Sequence, residues 1–377
     1  MFRPFILMLA LWALGAAHAG DRGVTPTEIR LGASAVLSGP LGPQTLDYGA
    51  GARLYFDAIN TQGGVHGRKI VYKLLDDGFD PKRAVENTRK LIEEDNIFMV
   101  FNNTGTAHTM AIMPLAEETR TIVFGPVTGS SALRNKVSPY LFHVRAGYAD
   151  EARRIIAHLK DTGITRTALV FQDDSLGNAL RAELQGAAKA AQMNFVAEVR
   201  IDPKAAGDLD AAASATEKAQ PQAVLLALGG ATFPAYIKAV QKTSARPTYY
   251  GFSIASVDLI RRDLKEDARG IIVAQVMPPV RNKTLPVVAE YLKALQDKDP
   301  KAVPSAFQLE GFIHARILVE GLRRAGRNLS TASFGKALED IGEISFGRFV
   351  ARYSPSSHNG SSYVELAIID SQGNLMY

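Results

Sequence analysis

Two short stretches carry more hydrogen-bonding groups than a chain connection requires. The first is "FNNTGTAHT", residues 101–109, which leaves the apolar run "NIFMVF" and enters a helical pattern at "AIMPLAEE". The second is "PVTGSSA", residues 126–132, at the exit of "TIVFGP". A helix start offers unpaired N–H groups and the positive end of the helix dipole, and a hydroxyl there adds a donor. Thr106 opens the helix in the first stretch, while Thr128, Gly129 and Ser130 supply hydroxyls and a permissive backbone in the second. That chemistry holds an anion such as a carboxylate on neutral donors. Either loop alone is also what ordinary capping requires. Both at one sheet edge read as a ligand site.

Catalytic and metal chemistry find little support. His66, His108, His143, His158, His314 and His358 form no H-x-H or H-E-x-x-H pair, so no metal is expected. The chain has no cysteine, which excludes a thiolate ligand or nucleophile. G-x-S-x-G is absent. The "SFGK" at Ser333 to Lys336 and the "KTS" at Lys242 to Ser244 stand in the wrong order for a penicillin-binding enzyme, with no S-D-N between. The Gly49–Ala50–Gly51 triplet lies inside a helical pattern and reads as close packing, not as a nucleotide loop. The 43 basic and 38 acidic residues are scattered, and the net charge is +5, so nucleic acid is not an expected partner. No cofactor is expected.

The elements that would position these loops alternate along the chain. Strand-like "IRLGASAVL", "KIVYKLLDD", "IFMVF" and "TIVFGP" are separated by helical patterns such as "DPKRAVENTRKLIEED", where Asp80 and Pro81 make a helix start. A second such set follows, with "TALVFQDD", "NFVAEVRI", "AVLLAL", "TYYGFS" and "GIIVAQV" as strands. Helices dominate from Leu285 to about Asp340, and "VELAIIDSQGN" is a terminal strand and turn. Apolar strands alternating with amphipathic helices predict α/β architecture, with parallel sheets covered on both faces. Ligands of such sheets bind beyond the carboxyl ends of the strands. The loops there are rich in Gly, Ser, Thr and Asn, which favours a small-molecule cleft.

The N-terminus reads as an export signal. "MFRPFILMLALWALGAAHAG" has one positive charge, an apolar stretch and Ala17–His18–Ala19, which predicts cleavage after Ala19. The uncharged run from Phe5 to Ala17 is shorter than the ~20 residues of a membrane span. The mature chain of about 358 residues has the length of two domains, and 46% hydrophobic residues suffice for two cores.

The segments "LSGPLG", "GARLYFDAINTQGGVHGRKI", "LDDGFDPKRAVENTRKLI", "FGPVTGSSALR", "FHVRAGYADE" and "FQDDSLGNAL" resemble, in order over nearly the whole mature chain, the periplasmic leucine/isoleucine/valine-binding proteins of ABC transporters. The resemblance implies a type I periplasmic binding fold of two Rossmann-like lobes joined by three crossings, which close over a ligand. It implies residues 1–19 as signal, 24–142 with 275–347 as lobe 1, and 143–274 with 348–377 as lobe 2. It also implies a periplasmic monomer that docks on an inner-membrane permease with its ATPase. The carboxylate donors fall on Gly105, Thr106 and the loop of Val127, Thr128, Gly129 and Ser130, where Gly129 replaces a hydroxyl. The side chain over the ligand falls on Gln44, and the second lobe's aromatic positions fall on Leu176 and Ala231. The acid that holds an ammonium falls on Ser253. An unpartnered buried ammonium costs several kcal/mol. So either Asp173 or Asp174 supplies the charge, or the ligand has no α-amino group. Asp174 is equally placed to cap the helix from Ser175, and His108 is expected at the surface. A ligand sensor of the same fold and an exported hydrolase are the alternative functions.

Overall fold

The structure, a computed structural model, describes residues 21–39, 42–202, 204–205 and 207–377. The expected signal segment lies outside the described residues. The first sheet contains β1 (Glu28–Ala35), β2 (Lys69–Asp76), β3 (Met99–Phe101), β4 (Ile122–Phe124) and β5 (Leu141–Phe142), in the order β2-β1-β3-β4-β5. All its pairs are parallel. The connecting helices are α1 (Gly42–Thr61), α2 (Pro81–Glu93) and α3 (Thr106–Glu118). The Asp80 side chain accepts the Lys82 N–H at 2.8 Å, and α2 buries Ala84, Thr88, Leu91 and Ile92 on one face. Successive strand residues feed opposite cores, so Val100 and Val123 lie in one cluster and Met99, Phe101, Ile122 and Phe124 in another. This sheet is covered on both faces.

The second sheet is built from β6 (Thr167–Gln172), β7 (Phe195–Ile201), β8 (Ala223–Ala227), β9 (Thr248–Gly251) and β10 (Ile272–Gln275). Its helices are α4 (Tyr148–Asp161), α5 (Ser175–Ala190), α6 (Asp208–Ala219), α7 (Thr232–Gln241) and α8 (Val257–Leu264). The central strands β6 and β8 are buried at every residue, whereas the edge strand β7 alternates. After α9 (Pro286–Lys298), α10 (Ala306–Ala325) and α11 (Thr331–Glu339) come β11 (Glu343–Phe346), β12 (Phe349–Ser354) and β13 (Ser357–Gly360). Then β14 (Glu365–Ile369) pairs antiparallel with β10, and β15 (Leu375–Met376) pairs antiparallel with β14. Among the described residues, no helix is long and apolar enough to cross a membrane.

The chain passes between lobes at residues 143–147, 276–285 and 361–364. The third passage differs from the expected one at 348. Strands β11, β12 and β13 form a small antiparallel sheet, and Phe349, Ala351 and Tyr353 enter the core of the first lobe. The reason is alternation. Ile344 and Phe346 point one apolar face at the first lobe, and β12 continues that face. The first and third passages run side by side, because the His143 N–H donates to the His358 carbonyl at 2.8 Å and the Ser361 N–H to the Val144 carbonyl at 3.0 Å.

Candidate ligand cleft

The first-lobe wall is made where β3 and β4 end. The Gly105 N–H donates to the Val127 carbonyl at 3.3 Å, and the Val127 N–H donates to the Asn103 carbonyl at 2.8 Å. These bonds put the two loops side by side. Gly105 is the N-cap of α3 at φ 103°, a backbone region that favours glycine, and no side chain caps the helix. Thr106 and Thr128 are buried, their hydroxyls 2.7 Å apart, and Thr128 also accepts the Ser130 N–H at 3.3 Å. The Thr104 hydroxyl in the same loop is buried without a hydrogen-bond partner. The two asparagines do structural work. Asn102 pairs with His314 of α10 at 2.7 Å, and the Asn103 amide donates to the Thr109 hydroxyl at 2.8 Å.

Gly129 has its own explanation. A Cβ there would stand 2.4 Å from Tyr148 Cδ1 and 2.6 Å from the Tyr148 backbone nitrogen. The Tyr148 ring of α4 therefore fills the place of a side chain at 129. Its hydroxyl interacts with Thr128 and the Gly129 backbone, which adds a third buried hydroxyl to those of Thr106 and Thr128.

The second-lobe wall centres on Ser253, at the exit of β9. Its N–H and hydroxyl donate to the two oxygens of Glu151 at 2.7 and 2.9 Å. Arg145, on the first passage between lobes, donates through Nη2 to the Ser253 hydroxyl. The same guanidinium lies 3.9 Å from Glu151 and 3.6 Å from Glu310 of α10. Arg145 thus joins an acid of each lobe across the passage. Burial pushes Glu151 up to about 7 despite the nearby guanidinium. Burial also raises Glu310, while Arg145 and the Tyr48 hydroxyl work against that. His314 is held down to about 3 by burial and by Arg145, so it is neutral. Arg134 clamps the region from below, donating to the carbonyls of Thr128 at 3.2 Å and Arg145 at 3.0 Å.

Gln44 stands between the lobes, its amide 3.5 Å from the Ile254 carbonyl. Beside Ser253 a cavity of about 170 Å³ opens between α8, the second passage and the start of α10. Ala255, Val257, Val280, Phe307 and Leu375 line it, and Phe307 packs on Tyr48 and Val127.

The structure brings Gln44, Gly105, Thr106, Val127, Thr128, Gly129 and Ser130 to one side of the cleft and Ser253 to the other. Leu176 is half-buried at the edge of the second core, and Ala231 is exposed at the start of α7. Asp174 is a cap, its oxygens accepting the Gly177 N–H at 2.8 Å and the Gln172 amide at 2.6 Å. Asp173 is an exposed partner of Arg200 at 2.6 Å. His108 is buried against Phe79 and Asp77, not on the surface as expected, because the loop after β2 folds over the first turn of α3. Arg145, Glu151, Glu310, Tyr48 and Tyr148 were not singled out. The available signal was charge on an apolar face: Glu151 sits in phase with Tyr148, Ala152 and Ile155, and Glu310 in phase with Ile313 and Ile317.

Two lobes with mostly parallel sheets, walled by facing strand exits, define a binding protein of the type I periplasmic class. The chain belongs to the periplasmic binding protein family, whose model matches residues 28–374. It is 23% identical to Leu/Ile/Val-binding protein homolog 3 of Brucella melitensis, over 90% of this chain and 93% of that protein. An extracellular ligand-binding receptor from Verminephrobacter eiseniae superposes with TM-score 0.87 at 28% identity, over 93% of this chain and all of that one (100%). A possible leucine/isoleucine/valine-binding protein from Rhodopirellula baltica gives 0.86 at 26%, over 93% and 96%. The family is a substrate-binding fold and not an enzyme family, and its members bind small molecules and work with ABC transporters.

Proposed function

We propose that this chain is the exported substrate-binding component of an ABC uptake transporter. It traps a small carboxylate-bearing ligand between its lobes and delivers it to an inner-membrane permease with its ATPase. The observation that carries this reading is the start of α3. A thirteen-residue helix with no side-chain cap presents its N-terminus beside the paired Thr106 and Thr128 hydroxyls, all at the edge of a two-lobed cleft. Neutral donors and a helix dipole stabilise a carboxylate without a cationic side chain. The chain is read as a periplasmic monomer released by cleavage after Ala19.

A thermal-shift screen of the mature chain from Gly20 tests this. Ligand at ~1,000 times its Kd stabilises by roughly 4 kcal/mol. The expected result is an upward shift of melting temperature with one class of small carboxylates and none with their amides or esters. Equal shifts with acid and amide would remove the carboxylate from the account.

A further inference from the structure

We propose that the ligand is an apolar carboxylic acid without an α-amino group, because the cleft already contains its own cation, Arg145, where an ammonium would have to sit. This rests on the carboxylate reading above. A carboxylate at Thr106 and Thr128 would direct its α-substituents toward the facing wall at Ser253. Behind Ser253 at that wall lies a fully buried guanidinium, hydrogen-bonded to the Ser253 hydroxyl, with Glu151 beside it.

Of the acids grouped around Arg145 and Ser253, only Glu310 keeps a carboxylate oxygen without a hydrogen bond, and that oxygen is buried beside the Arg145 guanidinium. Glu151 has both oxygens on Ser253, with Arg145 at 3.9 Å. Glu310 Oε1 lies 3.6 Å from Arg145 as an ion pair and has no hydrogen bond of its own, so the guanidinium is the charge that holds it. Asp174 is spent on Gly177 and Gln172, and Asp173 on Arg200. Asp258, at the cavity mouth, has a side chain 70% exposed and pairs with Arg261 at 3.7 Å. An ammonium brought here would lose its water, meet the like charge of Arg145 and find one carboxylate oxygen, Glu310 Oε1, already paired with that guanidinium. A hydrogen or a carbon at the same place loses nothing.

The space beside Ser253 defines the rest of the molecule. Its walls are mostly apolar, and its volume of about 170 Å³ exceeds the ~150 Å³ of an apolar cavity that holds benzene. One aromatic ring or a branched aliphatic chain of similar size fits.

The test is titration calorimetry of the mature wild-type chain with matched pairs: 4-methylpentanoate against leucine, and 3-phenylpropanoate against phenylalanine. The expected result is that, in at least one pair, the amine-free acid binds at least about 30-fold tighter. A substitution refines it. Arg145→Gln removes the cation and leaves the acids, so the ratio between pair members should shrink in any sample whose melting curve shows it folded. Leucine or phenylalanine binding as tightly as its partner would overturn the proposal and leave the carboxylate reading standing. No binding by any of the four would remove the carboxylate reading and the proposal together.

Discussion

Replacing Thr106 with valine removes one hydroxyl and leaves the shape of the side chain. Thr106 is 6% exposed and Thr128 is fully buried, with 2.7 Å between their hydroxyl oxygens. Two hydroxyls in that contact share one hydrogen, so the second O–H is free to donate onward. In the unliganded chain Thr128 keeps the Ser130 N–H and Tyr148 as neighbours, so losing the pair costs about 1 kcal/mol of stability. In the complex the lost bond is one to a charged oxygen, about 1.5–3 kcal/mol, or roughly a 10- to 150-fold weaker Kd. Calorimetric titration with the tightest acid, beside urea melts without ligand, separates the two effects. A Kd within twofold of wild type in a stably folded Thr106→Val chain would show that the hydroxyl pair is structural and refute the reasoning.

Glu151 carries a pH signature of defined sign. Its native value of about 7 lies above the ordinary 4.5, so its contribution to stability is full below about 4.5 and is lost as the pH rises through 7. The size is about 3 kcal/mol. His314 acts oppositely: held at about 3, it contributes stability above 6.5 that is lost as the pH falls. Urea melts of wild type and Glu151→Gln at pH 5 and pH 8 isolate the first effect, and wild type should lose ground to the variant as pH rises. A constant gap would mean Glu151 does not titrate there. Gly311→Ala places a Cβ 2.0 Å from the Tyr48 carbonyl oxygen where α1 crosses α10, and should destabilise by about 1–3 kcal/mol on melting. Asp174→Ala should cost about 1 kcal/mol as a lost cap and leave affinity within twofold, checked by melting and titration of one sample.

The architecture was legible where local and global signals agree. Buried runs such as Ala223–Ala227 and the Asp80–Pro81 helix start form the expected elements. Gly51 packs against α10, with the Gln308 carbonyl oxygen 1.8 Å from where a Cβ would stand, in keeping with its reading as close packing. The pairing of the 101–109 and 126–132 loops followed from parallel strand order. Helix α8 escaped notice because its eight residues, capped by Ser256, bury only Ile260 and Leu264. The β11–β13 sheet escaped because short antiparallel strands with Gly347 and Gly360 carry little periodicity. The buried charges were illegible for a deeper reason. Arg145 and Glu151 are near each other in the chain, but Ser253 and Glu310 are far from them, and only the folded passage between lobes makes the four one cluster.

The central claim, a trap that closes on a small acid, is tested most directly by a distance across the cleft. The chain has no cysteine, so Glu118→Cys with Lys189→Cys, both at exposed positions on α3 and α5, takes a donor and an acceptor dye cleanly. Energy transfer would be followed while the tightest acid is titrated. The account predicts that transfer rises saturably, with the midpoint equal to the calorimetric Kd and with no change for the corresponding amide. Calorimetric binding with unchanged transfer would contradict closure of the two lobes over the ligand.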